Sequence, residues 1–407
     1  MVSLSPTDIR ELVLNVQSPI VLKNLKIPWK CFDLSLQDWC SLLENHMNKK
    51  HCKINFEVGR RKHTHFPQWE RFRDEKELHI SEFLEENSDF LSENWACLSY
   101  RNIEELPDIL RDDIKFTCFG FPEIDDNDTT FWLNTKDCNT SCHYDTYGCN
   151  VVVQVFGRKS WLLFPPTSVF DPIRIPYEES SVYCSTNFYS PNDLRQFKEI
   201  KDKCHRCVLE PGDILIVPKN WWHYVESLET SLSFNHWIPL ESDIESQLDE
   251  CLVKYIIEKF LVAEDETNIR NFLNPNQLIS FLEDAEILQI LEKLCDENLH
   301  NNEENEIASI KKPKTLRYPY MYLTEAETEN IIKNLKCDHY YVKTVLNHEF
   351  LELMRNNSLR YDKTLEEKID KSSEAKLKEI LINSICHPNM ISNIRKLLLE
   401  NYKKDNK

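Results

Sequence analysis

The sequence predicts a mainly β protein, an all-β barrel or jelly roll up to about Leu240, followed by a helical C-terminal region. Short apolar runs bounded by Gly, Pro or Asn recur along the first part, the pattern of punctuated short strands. From Ser242 onward apolar residues recur at spacings of three and four instead, the period of an amphipathic helix. Glycine sharpens the division: the 407 residues contain five, where average usage of about 7 % would give on the order of 28. Four of the five lie between residues 120 and 212, so the tightest backbone is expected there.

In chain order, residues 19–23 and 53–58 read as strands separated by a helix over 36–47, and 82–90 reads as a second short helix. Strand signals then multiply over 113–119, 130–133, 149–156, 160–164, 213–217 and 231–237. Gly157 is placed at the turn after residue 156, and Gly212 in the Pro-Gly turn before residue 213. Ser242-x-x-Glu245 has the form of a capping box, followed by Ile244, Leu248, Cys251 and Tyr255, and Thr324-x-x-Glu327 opens another helix. Residues 297–306 are polar enough for a linker, and 363–382 and 390–399 read as helices. The domain reading is a barrel over 15–240, a helical extension over 241–296, a linker over 297–320 and helices over 321–407.

Composition narrows the function classes. Hydrophobic residues make up 41 % of the chain, enough to bury a sizeable core. No stretch approaches the 18 or more apolar residues of a membrane span, and no secretory leader is visible. A cytoplasmic protein, also able to enter the nucleus, is expected, and its fifteen cysteines read as free thiols. The formal charge is −19, with 36 acidic and 26 basic residues through Leu240 and 32 and 23 after it. That disfavours nucleic acid as a partner, and the acidic surface reads either as an attraction for a basic protein or simply as solubility. The basic run Lys311-Lys-Pro-Lys314 resembles a minimal import signal or a solvated linker.

One constellation carries chemistry. In Cys142-His143-Tyr144-Asp145, residues two apart on a strand share a face, so His143 and Asp145 project together. His223, in Trp221-Trp222-His223-Tyr224, offers a third ligand after the 213–217 strand. Two imidazoles and a carboxylate on one octahedral face form the facial triad of non-haem Fe(II), with open positions for a cosubstrate and O2. A His-x-Asp pair alone is commonplace, so the weight rests on its surroundings. Cys204-x-x-Cys207 and Cys138-x-x-x-Cys142 offer a competing four-cysteine zinc site, with free thiols the plainer reading.

Around the triad stand Thr140, Asn150, Lys159 in Val155-Phe-Gly-Arg-Lys-Ser-Trp-Leu-Leu-Phe-Pro-Pro166, and Asn235-His-Trp237. In this order these residues resemble the JmjC branch of the cupin superfamily, the Fe(II)/2-oxoglutarate oxygenases, and especially its small hydroxylase-type members. The resemblance spans residues 15 to 240. Residues 148–159, 174–182 and 221–227, and more loosely 271–275 and 386–390, are similar to a member that associates with a small heat-shock protein.

The resemblance implies a JmjC-type double-stranded β-helix, the cupin or jelly-roll barrel, with flanking helices. It implies iron on His143, Asp145 and His223, and the distal carboxylate of 2-oxoglutarate on Lys159 and Thr140. It also places Asn150, Asn235 and Trp237 along the cosubstrate pocket, with Trp132 on its wall. The implied activity is hydroxylation of a protein side chain, with demethylation of a methylated protein or a non-catalytic adaptor role as alternatives. A small heat-shock protein is the implied partner, and the helical C-terminal region offers a homodimer surface.

Overall fold

The computed structural model describes residues 2–3, 5–49, 54–63, 66–70, 73–85, 88–168, 170–173, 181–260, 284–301, 316–319, 324–335, 338–365 and 373–405. The strands of its two large sheets are β1 (Ile20–Lys23), β2 (Asn55–Arg60), β3 (Asp74–Glu77), β4 (Asn94–Asn102), β5 (Thr130–Asn134), β6 (Asn139–Asp145) and β7 (Cys149–Phe156). They continue with β8 (Lys159–Phe164), β9 (Ser181–Tyr183), β10 (His205–Leu209), β11 (Ile214–Val217), β12 (Trp222–Ser227), β13 (Ser231–Ile238) and β14 (Asp338–Tyr341). A nine-stranded sheet has the order β14-β1-β11-β7-β13-β5-β4-β2-β3, and a five-stranded sheet the order β9-β6-β12-β8-β10. The two sheets face each other as the walls of one barrel, with antiparallel pairing between neighbours throughout both.

Period-two alternation decides what enters the barrel. On β7, Cys149, Val151, Val153 and Val155 join the core outside the large sheet, whereas Val152 packs with Trp161 and Leu163 of β8 between the sheets. Leu162 and Phe164 of β8 turn outward into a third cluster with Trp222 and Tyr224. Both faces of each sheet are covered, which is why these strands read as almost continuous apolar runs.

Helices form the outer layer: α1 (Pro6–Asn15), α2 (Leu36–Lys49), α3 (Asp243–Phe260), α4 (Asp284–Asn301), α5 (Glu325–Leu335), α6 (Asn347–Ser358), α7 (Ser373–Ile385) and α8 (Pro388–Asp405). Ile9, Leu12 and Val13 of α1 and Trp39 and Leu43 of α2 cover the large sheet, joined by Ile331 and Ile332 of α5. Phe350 and Met354 of α6, Ile382 of α7 and Ile391 of α8 cover the small one. Ile244 and Leu248 of α3 and Ile287 and Leu294 of α4 make a separate cluster, against which Leu398, Leu399 and Tyr402 of α8 pack.

The structure differs from the sequence reading at several places. Residues 113–119 are not a strand. Phe116–Phe119 is a 3-10 turn closed by Gly120 at φ 97°, and that turn buries Phe116 and Phe119 against Trp29. The helix expected over 82–90 is two short ones, Ile80–Leu84 and Asp89–Glu93, the second capped by Ser88 Oγ accepting from the Leu91 N–H. In place of a Ser242 cap, the Asp243 carboxylate accepts from the Leu240 and Gly148 N–H groups and from Lys219 Nζ. The Thr324–Glu327 box forms as expected.

Residues 297–301 belong to α4 rather than to a linker, and the rest of that segment, with Lys311 to Lys314, lies outside the described residues. So do residues 174–180 and 271–275. Of the helix expected over 363–382, Ser373–Ile385 is helical, and at its expected start Asp362 Oδ1 accepts from the Thr364 N–H and Oγ1 in a turn. Residues 366–372 between them lie outside the described residues. The helical C-terminal region also contributes a strand, β14, which pairs with β1 and extends the large sheet. No described helix is long and apolar enough to cross a membrane.

Candidate active site

The β6 and β12 strands pair antiparallel with His143 opposite His223, so one cross-strand step brings the two imidazoles together. Their ring centroids lie 4.2 Å apart. Asp145, two residues along β6, completes a buried group whose ligand atoms all lie within 4.8 Å of one another. Asp145 Oδ1 is 3.5 Å from His143 Nε2, and Oδ2 is 3.9 Å from His223 Nε2. Both Nδ1 atoms are occupied: His143 Nδ1 donates to Ser141 O at 2.8 Å and His223 Nδ1 to Trp221 O at 2.9 Å. That fixes both tautomers and leaves two Nε2 lone pairs converging with a carboxylate.

Electrostatics favours the same arrangement. Burial alone would raise Asp145, but His223, His143 and the Trp237 N–H bring its carboxyl down to about 2. Burial and the neighbouring His143 push His223 down to about 4, so at neutral pH its ring is a neutral ligand. His143 is moved upward despite burial, chiefly through its bond to Asp145. The donor set, hard carboxylate with two imidazoles, suits Fe(II).

The cavity beside the triad is lined by Thr140, Asn150, Lys159, Asn235, Trp237 and Trp132, together with Tyr100, Cys138, Trp161 and Ser233. All nine residues chosen from the sequence therefore converge on one space. Lys159 is buried, and its ammonium reaches Ser233 Oγ at 2.7 Å with no carboxylate partner among the described residues. Burial lowers it to about 8. The Trp161 indole N–H is also buried and has no partner among the described residues. A cation and an N–H left without anionic acceptors fit an anionic ligand that accepts hydrogen bonds.

The alternation that places Lys159 also placed Trp161 two residues on, and Ser233 two before Asn235; that period was the available signal for both. Tyr100 had none. It sits at φ 51° in a register shift of β4 between Leu98 and Arg101, with its ring 4.3 Å from Trp132 and nearly parallel to Trp237 at 6.4 Å. The four-cysteine zinc site does not form. Cys138, Cys142, Cys204 and Cys207 are free and buried; Cys138 lines the cavity and Cys207 lies between the sheets, while Cys142 and Cys204 lie outside the small sheet. Alternation along β10 separates Cys207 from Cys204, and the triad is the one metal-competent group among the described residues.

The two facing sheets enclose a His-Asp-His group and a buried lysine, and sequence comparison places the chain among the cupins. The profile of the cupin-like domain matches residues 6–243, and the chain belongs to this family, in its JmjC branch. HSPB1-associated protein 1 of Bos taurus is 36 % identical over 295 residues, covering 67 % of this chain and 59 % of that protein. The HSPB1-associated protein 1 homolog of Danio rerio is 34 % identical over 312 residues, covering 72 % and 68 %. Lysine-specific demethylase JMJ30 of Arabidopsis thaliana is 34 % identical over 142 residues, covering 34 % and 32 %. The chain spans 59 % of the bovine and 58 % of the human relative.

Proposed function

We propose that the protein is an Fe(II)- and 2-oxoglutarate-dependent oxygenase that hydroxylates a protein side chain. The observation that carries this is one cavity holding three convergent metal-ligand atoms and a buried ammonium without a carboxylate partner among the described residues. His143, Asp145 and His223 would hold the iron. Lys159 and Thr140 would hold the distal carboxylate of 2-oxoglutarate, with Asn150, Asn235, Trp237 and Trp132 around them. When bound, the iron with 2-oxoglutarate and O2 supplies oxidising power for inserting oxygen into a C–H bond, with succinate and CO2 as coproducts.

The chain's own residues supply the rest. Ser141 O and Trp221 O orient the imidazoles, Lys159 fixes one end of the cosubstrate by charge, and Val152, Trp161 and Val225 keep the cavity dry. A substrate attacked at a carbon on nitrogen would leave demethylated, and the demethylase relatives favour testing that outcome. The names of the mammalian relatives, HSPB1-associated protein 1, favour a small heat-shock protein as partner.

The direct test is succinate formation by the purified protein with Fe(II), 2-oxoglutarate and ascorbate. Turnover is expected in the wild type and absent in His143→Ala. A wild type that neither binds iron nor consumes 2-oxoglutarate would replace this reading with the adaptor alone, and turnover that survives His143→Ala would place the iron elsewhere than on this triad.

A further inference from the structure

We infer that Trp237 and Asn150 are positioning residues for Asp145, which hold one carboxylate oxygen away from the metal and so limit the aspartate to a single donor atom. The inference rests on the iron site proposed above and gives these two residues a task other than contact with 2-oxoglutarate. Asp145 Oδ2 accepts from Trp237 Nε1 at 2.9 Å and from Asn150 Nδ2 at 3.2 Å. A carboxylate oxygen has two in-plane lone pairs, and two N–H donors use both. Oδ1 is left facing His143 Nε2 at 3.5 Å.

The orientation of Asn150 is itself determined. Its Oδ1 accepts from Asn235 Nδ2 at 2.9 Å, so its amide nitrogen is the atom turned to Asp145. Asn235 is fixed in turn, its Oδ1 accepting from Trp132 Nε1 at 2.7 Å and from the Thr130 hydroxyl. The relay Trp132–Asn235–Asn150–Asp145 thus runs from the cavity wall to the ligand.

Trp237 is held from two sides. Its ring lies nearly parallel to Tyr100, and a Cβ on Gly148 would come within 3.1 Å of its Cβ, so the loop after β6 closes directly on it. That loop is tied down by Gly148 N–H donating to Asp243 at 3.0 Å. A carboxylate free to turn can chelate through both oxygens and take two coordination positions. Held by Oδ2, Asp145 offers one, and three ligand atoms leave three positions on an octahedral ion.

Mn(II) titration of the metal-free protein by calorimetry tests this without turnover. Trp237→Phe keeps an aromatic ring and removes the N–H; it is expected to weaken Mn(II) binding about 10- to 100-fold, the usual range for loss of an outer-shell partner. The melting temperature of the metal-free variant should stay close to that of the wild type, because the packing of the barrel is untouched. If Trp237→Phe does not fold, Asn150→Ala removes the second donor and is read in the same way.

Mn(II) affinity within about twofold of wild type in a folded variant overturns the inference and leaves the iron site standing. Parallel losses of Mn(II) affinity and of metal-free melting temperature also overturn it, since they would show a general collapse of the cavity. A wild type that binds no Mn(II), or an Asp145→Ala variant that binds it equally well, instead overturns the iron site itself.

Discussion

Lys159 is the residue at which fold and chemistry conflict most plainly. Its ammonium is buried against Ser233 and the Trp132 ring, and burial lowers it to about 8. Because the folded value lies below the unfolded one, the unfolded chain binds more protons between the two, and the ligand-free fold gains stability as pH rises through that window. Binding of a dicarboxylate needs the charge and moves oppositely, weakening as pH rises above about 8. Calorimetric titration of 2-oxoglutarate at pH 7 and pH 9 should therefore show a loss in the wild type and little change in Lys159→Arg, which keeps its charge. At 100 times its dissociation constant the ligand should stabilise the wild type by about 2.7 kcal/mol, and thermal shifts should show that gain vanish in Lys159→Ala. A shift that persists in Lys159→Ala would move the cosubstrate elsewhere in the barrel.

At the scale of elements, the turns between strands set the register that brings the site residues face to face. Gly157 links β7 to β8 at φ 62°, and a Cβ there would stand 2.1 Å from Thr230 O, whereas Gly212 at φ 92° has open space around it. Gly212→Ala should cost about 1–2 kcal/mol for the left-handed conformation alone. Gly157→Ala adds a backbone clash and should cost more, with denaturant midpoints giving the order; equal losses would show that the β7–β8 turn relaxes freely. These turns were legible in the sequence because glycine is so scarce that each remaining one marks a demand. The triad was legible for another reason: a two-residue period places His143 with Asp145 on one face whatever the sheet packs against, while Thr140, Lys159, Asn150, Asn235, Trp237 and Trp132 were reached through the JmjC resemblance. Elements made by long-range pairing were not. Asp338–Tyr341 is a strand only because β1 offers it an edge, and Tyr100 enters the cavity only because β4 shifts register there. Residues 113–119 carry a strand's composition, yet the contacts of Phe116 and Phe119 with Trp29 favour a helical turn.

At the scale of the molecule, the C-terminal region is built into the barrel. The β14 strand covers the β1 edge, α6 fills the outer side of the small sheet with Phe350 and Met354, and Arg360 reaches the β12 strand that carries His223. Arg360 Nη1 donates to Glu226 Oε2 at 3.0 Å, Nη2 donates to Glu226 Oε1 at 2.5 Å, and the guanidinium stacks 4.4 Å from the Tyr189 ring centroid. Glu226 is buried and pairs across the sheet with Ser160, next to Lys159. Removing Arg360 would leave a buried carboxylate without its cation one residue from the β8–β12 pairing that places Lys159, a change that costs about 3–5 kcal/mol where such pairs are buried. Arg360→Ala should therefore lower the melting temperature markedly, and Glu226→Gln in the same chain should recover part of the loss by removing the stranded charge. Truncation after Leu240 takes away β14, α6 and Arg360 together. It should yield an aggregating barrel that exposes Val21, Phe164 and Trp222, with 2-oxoglutarate binding lost along with any partner binding. A truncated barrel that stays monomeric by light scattering and still binds 2-oxoglutarate would show instead that residues beyond Leu240 are a separable module, and that Arg360 and β14 stabilise the tail rather than the barrel.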